Sequence, residues 1–244
     1  MRARIAALAP ATDATATALP FGVAAIDDRL AHGGLAGAAL HEIAPASPAL
    51  GDDAAATLFT AGIAARAAAT RGMPVLWVIT HRDLFAPGLA LAGLGPERLI
   101  HAEADAEDGM LAAVEDGLRH GGLAAVIGET GRVGMAALRR LQLAAAEGGG
   151  LALLLRRWRR TGADPLAAPS VAVSRWRIGC APSAPLPVAG VGRPRWQVAL
   201  VRQRGGPGWE GLVEGCDAEG RLALPAGPGD RAASAGRWPG RRAA

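Results

Sequence analysis

The 244-residue chain contains no lysine, no asparagine and no tyrosine. All 26 residues counted as Lys or Arg are therefore arginine. This excludes chemistry that needs a lysine amine: Schiff bases, Ser-Lys dyads and the usual phosphate-gripping lysine of a P-loop. Cysteine is scarce. Cys180 and Cys216 are too few for a disulfide framework and lack metal-ligand spacing, so a reducing cytoplasm is the expected setting. The five histidines (His32, His41, His81, His101, His120) show no HExxH or other ligand spacing, so no metal is expected. No apolar run reaches about 18 residues, so no membrane span is expected. Met1-Arg2-Ala3-Arg4 leads into no long apolar stretch and does not read as a secretory signal.

Half of the chain is apolar and a fifth is charged, which suits one globular domain with short tails. The net charge of +4 hides an asymmetry. Residues 1–150 hold 11 Arg against 16 acidic residues, a balance of −5; residues 151–244 hold 15 Arg against 6, a balance of +9. The basic part also carries five of the six Trp. One part can thus serve as scaffold while the other meets an anion, nucleic acid being the obvious one.

Residues 1–18, rich in Ala and Thr with no apolar face, read as a disordered arm. A short helical pattern over Gly22–Leu30 stops at Gly33-Gly34. Five apolar runs follow: Ala38–Ala44, Val75–Thr80, Arg98–Ala102, Leu123–Gly128 and Leu151–Leu155. Helical patterns over Asp53–Thr70, Asp105–His120 and Gly134–Glu147 separate them, with a weaker one over Phe85–Leu94. Asp52 or Asp53 is expected to cap the first of these and Asp105 the second. Alternating strands and helices predict an α/β fold with a mainly parallel sheet flanked by helices. Continuous apolar strands predict burial on both faces. After residue 170 only strand patterns remain: Ser170–Cys180, Arg195–Arg204, and a hairpin of Trp209–Glu214 with Arg221–Leu224. These predict antiparallel strands near the C-terminus. Residues 226–244, dominated by Gly, Pro, Ala and Arg, read as a flexible basic tail.

The stretch Leu19–Ile43 reads LPFGVAAIDDRLAHGGLAGAALHEI. It closely resembles the start of the RecA-like core: a Gly and an Asp on a short helix, a Gly-Gly-Leu turn, a Gly, and a strand ending in Glu-Ile. Here these are Gly22, Asp27, Gly33, Gly34, Leu35, Gly37, Glu42 and Ile43. RRLQLAAAEGGGLALLLR, SVAVSRWRI and RPRWQVALVR resemble the ImuA proteins of bacterial mutagenic repair operons in particular. The resemblance covers roughly residues 19–225, and it implies a RecA-like domain over that span.

An active RecA-like ATPase follows its first strand with a glycine-rich loop ending in Gly-Lys-Ser/Thr. This chain has a degenerate P-loop instead, with Ala44, Pro45, Ser47, Gly51, Asp52 and Asp53. Pro45 and Pro48 remove amide donors. Asp52 and Asp53 stand where the Lys and hydroxyl belong and are expected to repel a triphosphate. At about 4 Å, two like charges cost roughly 4 kcal/mol at an effective dielectric near 20. Asp83 and Glu129 fall at the vestigial acid positions, and Glu129 reads as a solvated strand end. The expected molecule is a RecA-like fold without catalysis and without a cofactor.

Arg156-Arg157-Trp158-Arg159-Arg160 follows the fifth strand, where RecA-like proteins contact single-stranded DNA. Guanidinium groups pair with phosphates and an indole stacks on a base, so the cluster is a candidate DNA- or partner-binding loop. Trp176 and Trp196 read as core residues on strands. Arg237, Trp238, Arg241 and Arg242 form a candidate docking tail. The ImuA resemblance implies a non-enzymatic accessory role in SOS-induced translesion synthesis, in the cytoplasm and at the nucleoid when active. The implied partners are ImuB-type polymerase-like protein, an error-prone C-family polymerase and the RecA filament, with single-stranded DNA as a further ligand. Two other readings are a cell-division inhibitor of the SulA type and an ATP-dependent RecA-like DNA-binding enzyme.

Overall fold

The computed structural model describes residues 18–158, 163–183, 186 and 189–225. The arm over residues 1–17 and the tail over 226–244 lie outside the described residues, as do Arg159 and Arg160.

The chain begins with helix α1 (Ala24–Asp27), strand β1 (Leu40–Pro45), helix α2 (Leu50–Arg71) and strand β2 (Val75–Ile79). Helix α3 (Ala86–Leu91), a 3-10 turn (Pro96–Arg98) and strand β3 (Leu99–Glu103) follow. Helix α4 (Glu107–His120), strand β4 (Ala125–Thr130), helix α5 (Met135–Gly148) and strand β5 (Leu151–Arg156) complete the alternating part. Strands β6 (Ser174–Ala181), β7 (Arg195–Gln203) and β8 (Trp209–Glu214) finish the sheet.

The eight strands form one sheet in the order β3-β2-β4-β5-β1-β6-β7-β8. The expected parallel sheet therefore extends one strand further than the pattern suggested. Strand β6 runs parallel to β1, and only its pairing with β7, and that of β7 with β8, is antiparallel. Arg221–Leu224 adds no strand; Ala223 makes an isolated bridge to Glu214. Strands β1, β4 and β5 are buried along their whole length, as their mainly apolar runs lead one to expect, while β3 is half exposed at the edge.

Two cores lie on opposite faces of the sheet. One packs α2 and the N-terminal segment against one face of the sheet, around Phe21, Phe59, Trp176 and Trp196. Both strand tryptophans are buried there. The alanines of α2 (Ala56, Ala61, Ala64, Ala68 among them) bury small side chains, which lets the helix lie close to the sheet. The second core places Met110, Val114 and Leu118 of α4 and Leu138 and Leu141 of α5 against Leu40, Val78, Val126 and Leu154.

The opening turn is held by two devices. Asp27 accepts the backbone N–H groups of Phe21, Gly22 and Val23. Gly34 passes so close to Leu19 and Pro20 that a Cβ there would lie 2.6 Å from the Leu19 carbonyl carbon. Gln142, in the Leu-Gln-Leu segment of α5, accepts the Leu40 N–H and so pins the start of β1.

The expected aspartate caps are absent at the starts of α2 and α4. The N-cap residues are Ala49 and Ala106, and neither makes a side-chain cap. Asp52 and Asp53 lie inside the first turn of α2, where their charge still favours the positive end of the helix dipole.

Candidate functional site

Ala44 and Pro45 end β1 and are buried. The Ala46 N–H then donates to Ile178, so the chain stays against β6 rather than opening into a wide loop. Helix α2 begins at Leu50, which leaves only residues 46–49 to connect the two elements. A phosphate-cradling loop of the G-x-x-x-x-G-K-[ST] type needs a longer glycine-rich stretch with free amides.

Local bonding closes this turn further. Ser47 Oγ donates to Asp52 Oδ2 at 2.6 Å, and the Ala49 N–H reaches Ser47 Oγ at 3.2 Å. Asp52 Oδ1 accepts the Cys180 N–H of β6 at 2.7 Å. Gly51 is exposed and sits against the Cys180 side chain. Asp52 is thus a clamp between α2 and the sheet.

Asp53 points to the other side of the turn and meets Arg157, just past β5. Arg157 Nη1 donates to Asp53 Oδ2 at 2.7 Å and to Thr57 Oγ1 at 2.8 Å. The same guanidinium donates through Nε to Glu129 Oε2 at 3.0 Å, with Nη2 at 2.9 Å. Glu129 Oε1 accepts the Trp77 indole N–H at 2.8 Å. Glu129 is buried, at 3% exposure, so the expectation of a solvated strand end is corrected. Burial raises the Glu129 carboxyl pKa above its ordinary value, with Arg157 and the Trp77 N–H opposing. Burial also acts to lower the Arg157 pKa, but Glu129 and Asp53 outweigh it and hold the guanidinium above its usual value. One arginine thus ties the first turn of α2 to the carboxyl end of β4. Asp83, the other vestigial acid position, lies on an exposed turn after β2 and adds a repulsive charge near Glu129.

A second buried ion cluster lies on the opposite face of the sheet. Arg156 Nη1 donates to Glu42 Oε1, and its Nη2 to the Gly131 carbonyl at 3.1 Å. Arg175 Nε donates to Glu42 Oε2 at 2.7 Å. Two members of the expected exposed cluster, Arg156 and Arg157, are therefore internal and committed to carboxylates. Trp158 is half-buried, with its indole N–H donated to the Pro45 carbonyl at 3.1 Å. The tail residues Arg237, Trp238, Arg241 and Arg242 lie outside the described residues.

Sequence reasoning missed the partners Glu42, Thr57, Trp77 and Arg175. A signal for two pairings was present: Glu42 and Glu129 each interrupt an apolar strand run. A carboxylate in a strand buried on both faces requires a cation beside it. Among the described residues no group of three His, Cys, Asp or Glu is placed to hold a metal ion, and no helix is long and apolar enough to cross a membrane.

No family model matches the chain. The chain is 39% identical over 198 residues to Protein ImuA of Caulobacter vibrioides strain NA1000 / CB15N, covering 78% of this chain and 81% of that protein. Protein ImuA of strain ATCC 19089 / CIP 103742 / CB 15 matches to the same extent. Among solved structures, the crystal structure of the RadB recombinase superposes with a TM-score of 0.57 at 15% identity, over 85% of this chain and 100% of the other. That likeness shows the fold, a RecA-like sheet with antiparallel strands at its C-terminal end. Identity over that share of a curated relative, carried on the expected fold, shows that the chain belongs to the ImuA family.

Proposed function

We propose that this protein is a non-catalytic accessory factor in SOS-induced translesion DNA synthesis and damage-induced mutagenesis. In this reading it works with an ImuB-type polymerase-like partner and an error-prone C-family polymerase, and meets the RecA filament. Family membership supports the cellular role. One observation supports the absence of catalysis: the Arg157 guanidinium bridges Asp53 and Glu129. Those are the two positions that a RecA-like ATPase gives to its phosphate-loop hydroxyl and its magnesium-holding acid. An internal cation satisfies both carboxylates and stands in the space that magnesium and phosphate need.

A body of this kind acts through its surface. Single-stranded DNA contact rests on Trp158, Arg159 and Arg160, since Arg156 and Arg157 are internal. Partner docking rests on the basic tail over residues 226–244. Deleting the gene and scoring mutation frequency after DNA damage tests the reading. The expected result is loss of induced mutagenesis, restored by the intact chain, with normal cell length on overexpression. Filamentation on overexpression without a mutagenesis defect contradicts it and favours a division inhibitor of the SulA type.

A further inference from the structure

Of the four buried arginines among the described residues, Arg156, Arg157 and Arg175 each have a carboxylate within 4.0 Å. Arg66, on α2, has none, although it is only 8% exposed. Its charge is met in part by other means. Nη1 donates to the Pro20 carbonyl, and the guanidinium carbon stands 4.7 Å from the centre of the Phe21 ring. The nearby Asp27 carboxylate is engaged by three backbone N–H groups. Arg66 Nε is buried and has no hydrogen-bond partner. Burial lowers the Arg66 pKa from its ordinary value to about 10, against the pull of Cys216 and Asp27. The group therefore remains a cation at neutral pH. A buried charge without a counter-ion is costly unless something pairs with it.

Arg66 lines a cavity of about 560 Å³ between the N-terminal segment, the last turns of α2 and the loops around residues 93–98 and 218–222. That volume falls within the range of pockets that hold small ligands. Two further guanidiniums, Arg98 and Arg221, line it, and among the described residues no carboxylate pairs with Arg221 within 4.0 Å. The opposing charges are Glu97, loosely paired with Arg98 at 3.9 Å, and Glu219. Both are exposed, so water screens them, whereas the field of the buried Arg66 is screened much less. The lining side chains carry three positive charges against two negative ones. A water molecule in the cavity is neutral and leaves that excess among the lining side chains unchanged, with Asp27 behind the wall as the nearest further carboxylate.

We propose that this cavity is an oxyanion site, anchored by Arg66 and completed by Arg98 and Arg221, for a small molecule carrying a phosphate or carboxylate group. It is separate from the Asp53–Arg157–Glu129 network and independent of the role proposed above. Calorimetric titration of the full chain with inorganic phosphate and with acetate, against chloride at matched ionic strength, tests it and separates the two chemistries. Saturable heat from either oxyanion is expected. Arg66→Met should abolish it, and the surface variant R98A/R221A should weaken it about ten-fold by removing charge-assisted hydrogen bonds. The double variant keeps the test decisive if Arg66→Met fails to fold. Heat no larger than that of chloride for both anions, or binding unchanged in R98A/R221A, overturns the proposal.

Discussion

Arg157 carries the largest consequences of any single side chain. Its guanidinium satisfies Glu129, Asp53 and Thr57 together, and its own side chain is 9% exposed. Arg157→Ala leaves Glu129 buried without its cation, so the variant should lose about 3–5 kcal/mol in chemical denaturation. Replacing the pair together, R157M/E129Q, should recover much of that loss, because no uncompensated charge then remains. Sequence reading assigned the barrier to triphosphate binding to the missing lysine, to the amide donors lost at Pro45 and Pro48, and to repulsion from Asp52 and Asp53. In the fold neither charge is bare: Asp52 is held by Ser47 and the Cys180 N–H, and Asp53 by Arg157. In the proposed reading the barrier is occupation of the site by a cation of the chain itself, Arg157. That could not be read from RRWRR, because its partners lie more than 25 residues away in sequence. His41 gives a second residue-scale test. It is buried between Ser174 Oγ at 2.6 Å and the Ala36 carbonyl at 2.9 Å, and burial lowers its pKa from 6.5 to about 4. The folded state then binds fewer protons than the unfolded one between those values. Stability should be full above pH 6.5 and fall by about 3 kcal/mol as pH drops towards 4. Thermal melts across that window should show the fall, and His41→Gln should flatten it.

At the scale of elements, most of the architecture was legible. The apolar runs located β2, β3 and β5 to within a residue and β1 and β4 to within two, because central parallel strands must be apolar on both faces. Helices α4 and α5 showed themselves by apolar stripes and by glycines just past their ends. Two features were not legible. The parallel pairing of β6 with β1 depends on the crossover between β5 and β6, and no periodicity within Ser174–Ala181 reports strand direction. The short first turn of α2 was misread as capped because aspartate near a helix start suits either a cap or the first turn. The fit between α4 and α5 supplies a test. A Cβ on Gly148 would overlap the Leu118 carbonyl, a backbone group that cannot rotate away. Gly148→Ala should therefore destabilise the protein by about 1–3 kcal/mol by overpacking, despite alanine's better helix propensity. A chemical-denaturation midpoint equal to that of the parent would show that the two helix ends can separate at no cost.

At the scale of the whole molecule, one sheet joins the parallel strands, with the Asp53–Arg157–Glu129 network at the carboxyl ends of β1 and β4, to the C-terminal strands β6 to β8. Buried ion clusters stitch the two together. Glu42 of β1 binds Arg156 of β5 and Arg175 of β6 from opposite sides, and Asp52 of α2 reaches the backbone of β6. Membership of the ImuA family and this closed geometry support the proposal of a molecule that recognises rather than hydrolyses. The direct measurement is titration of the full chain with magnesium and ATP, followed by calorimetry and phosphate release. The account predicts neither saturable binding at the β1–α2 turn nor turnover above buffer. Magnesium-dependent saturable binding, with phosphate release that disappears in Glu129→Gln, would contradict it.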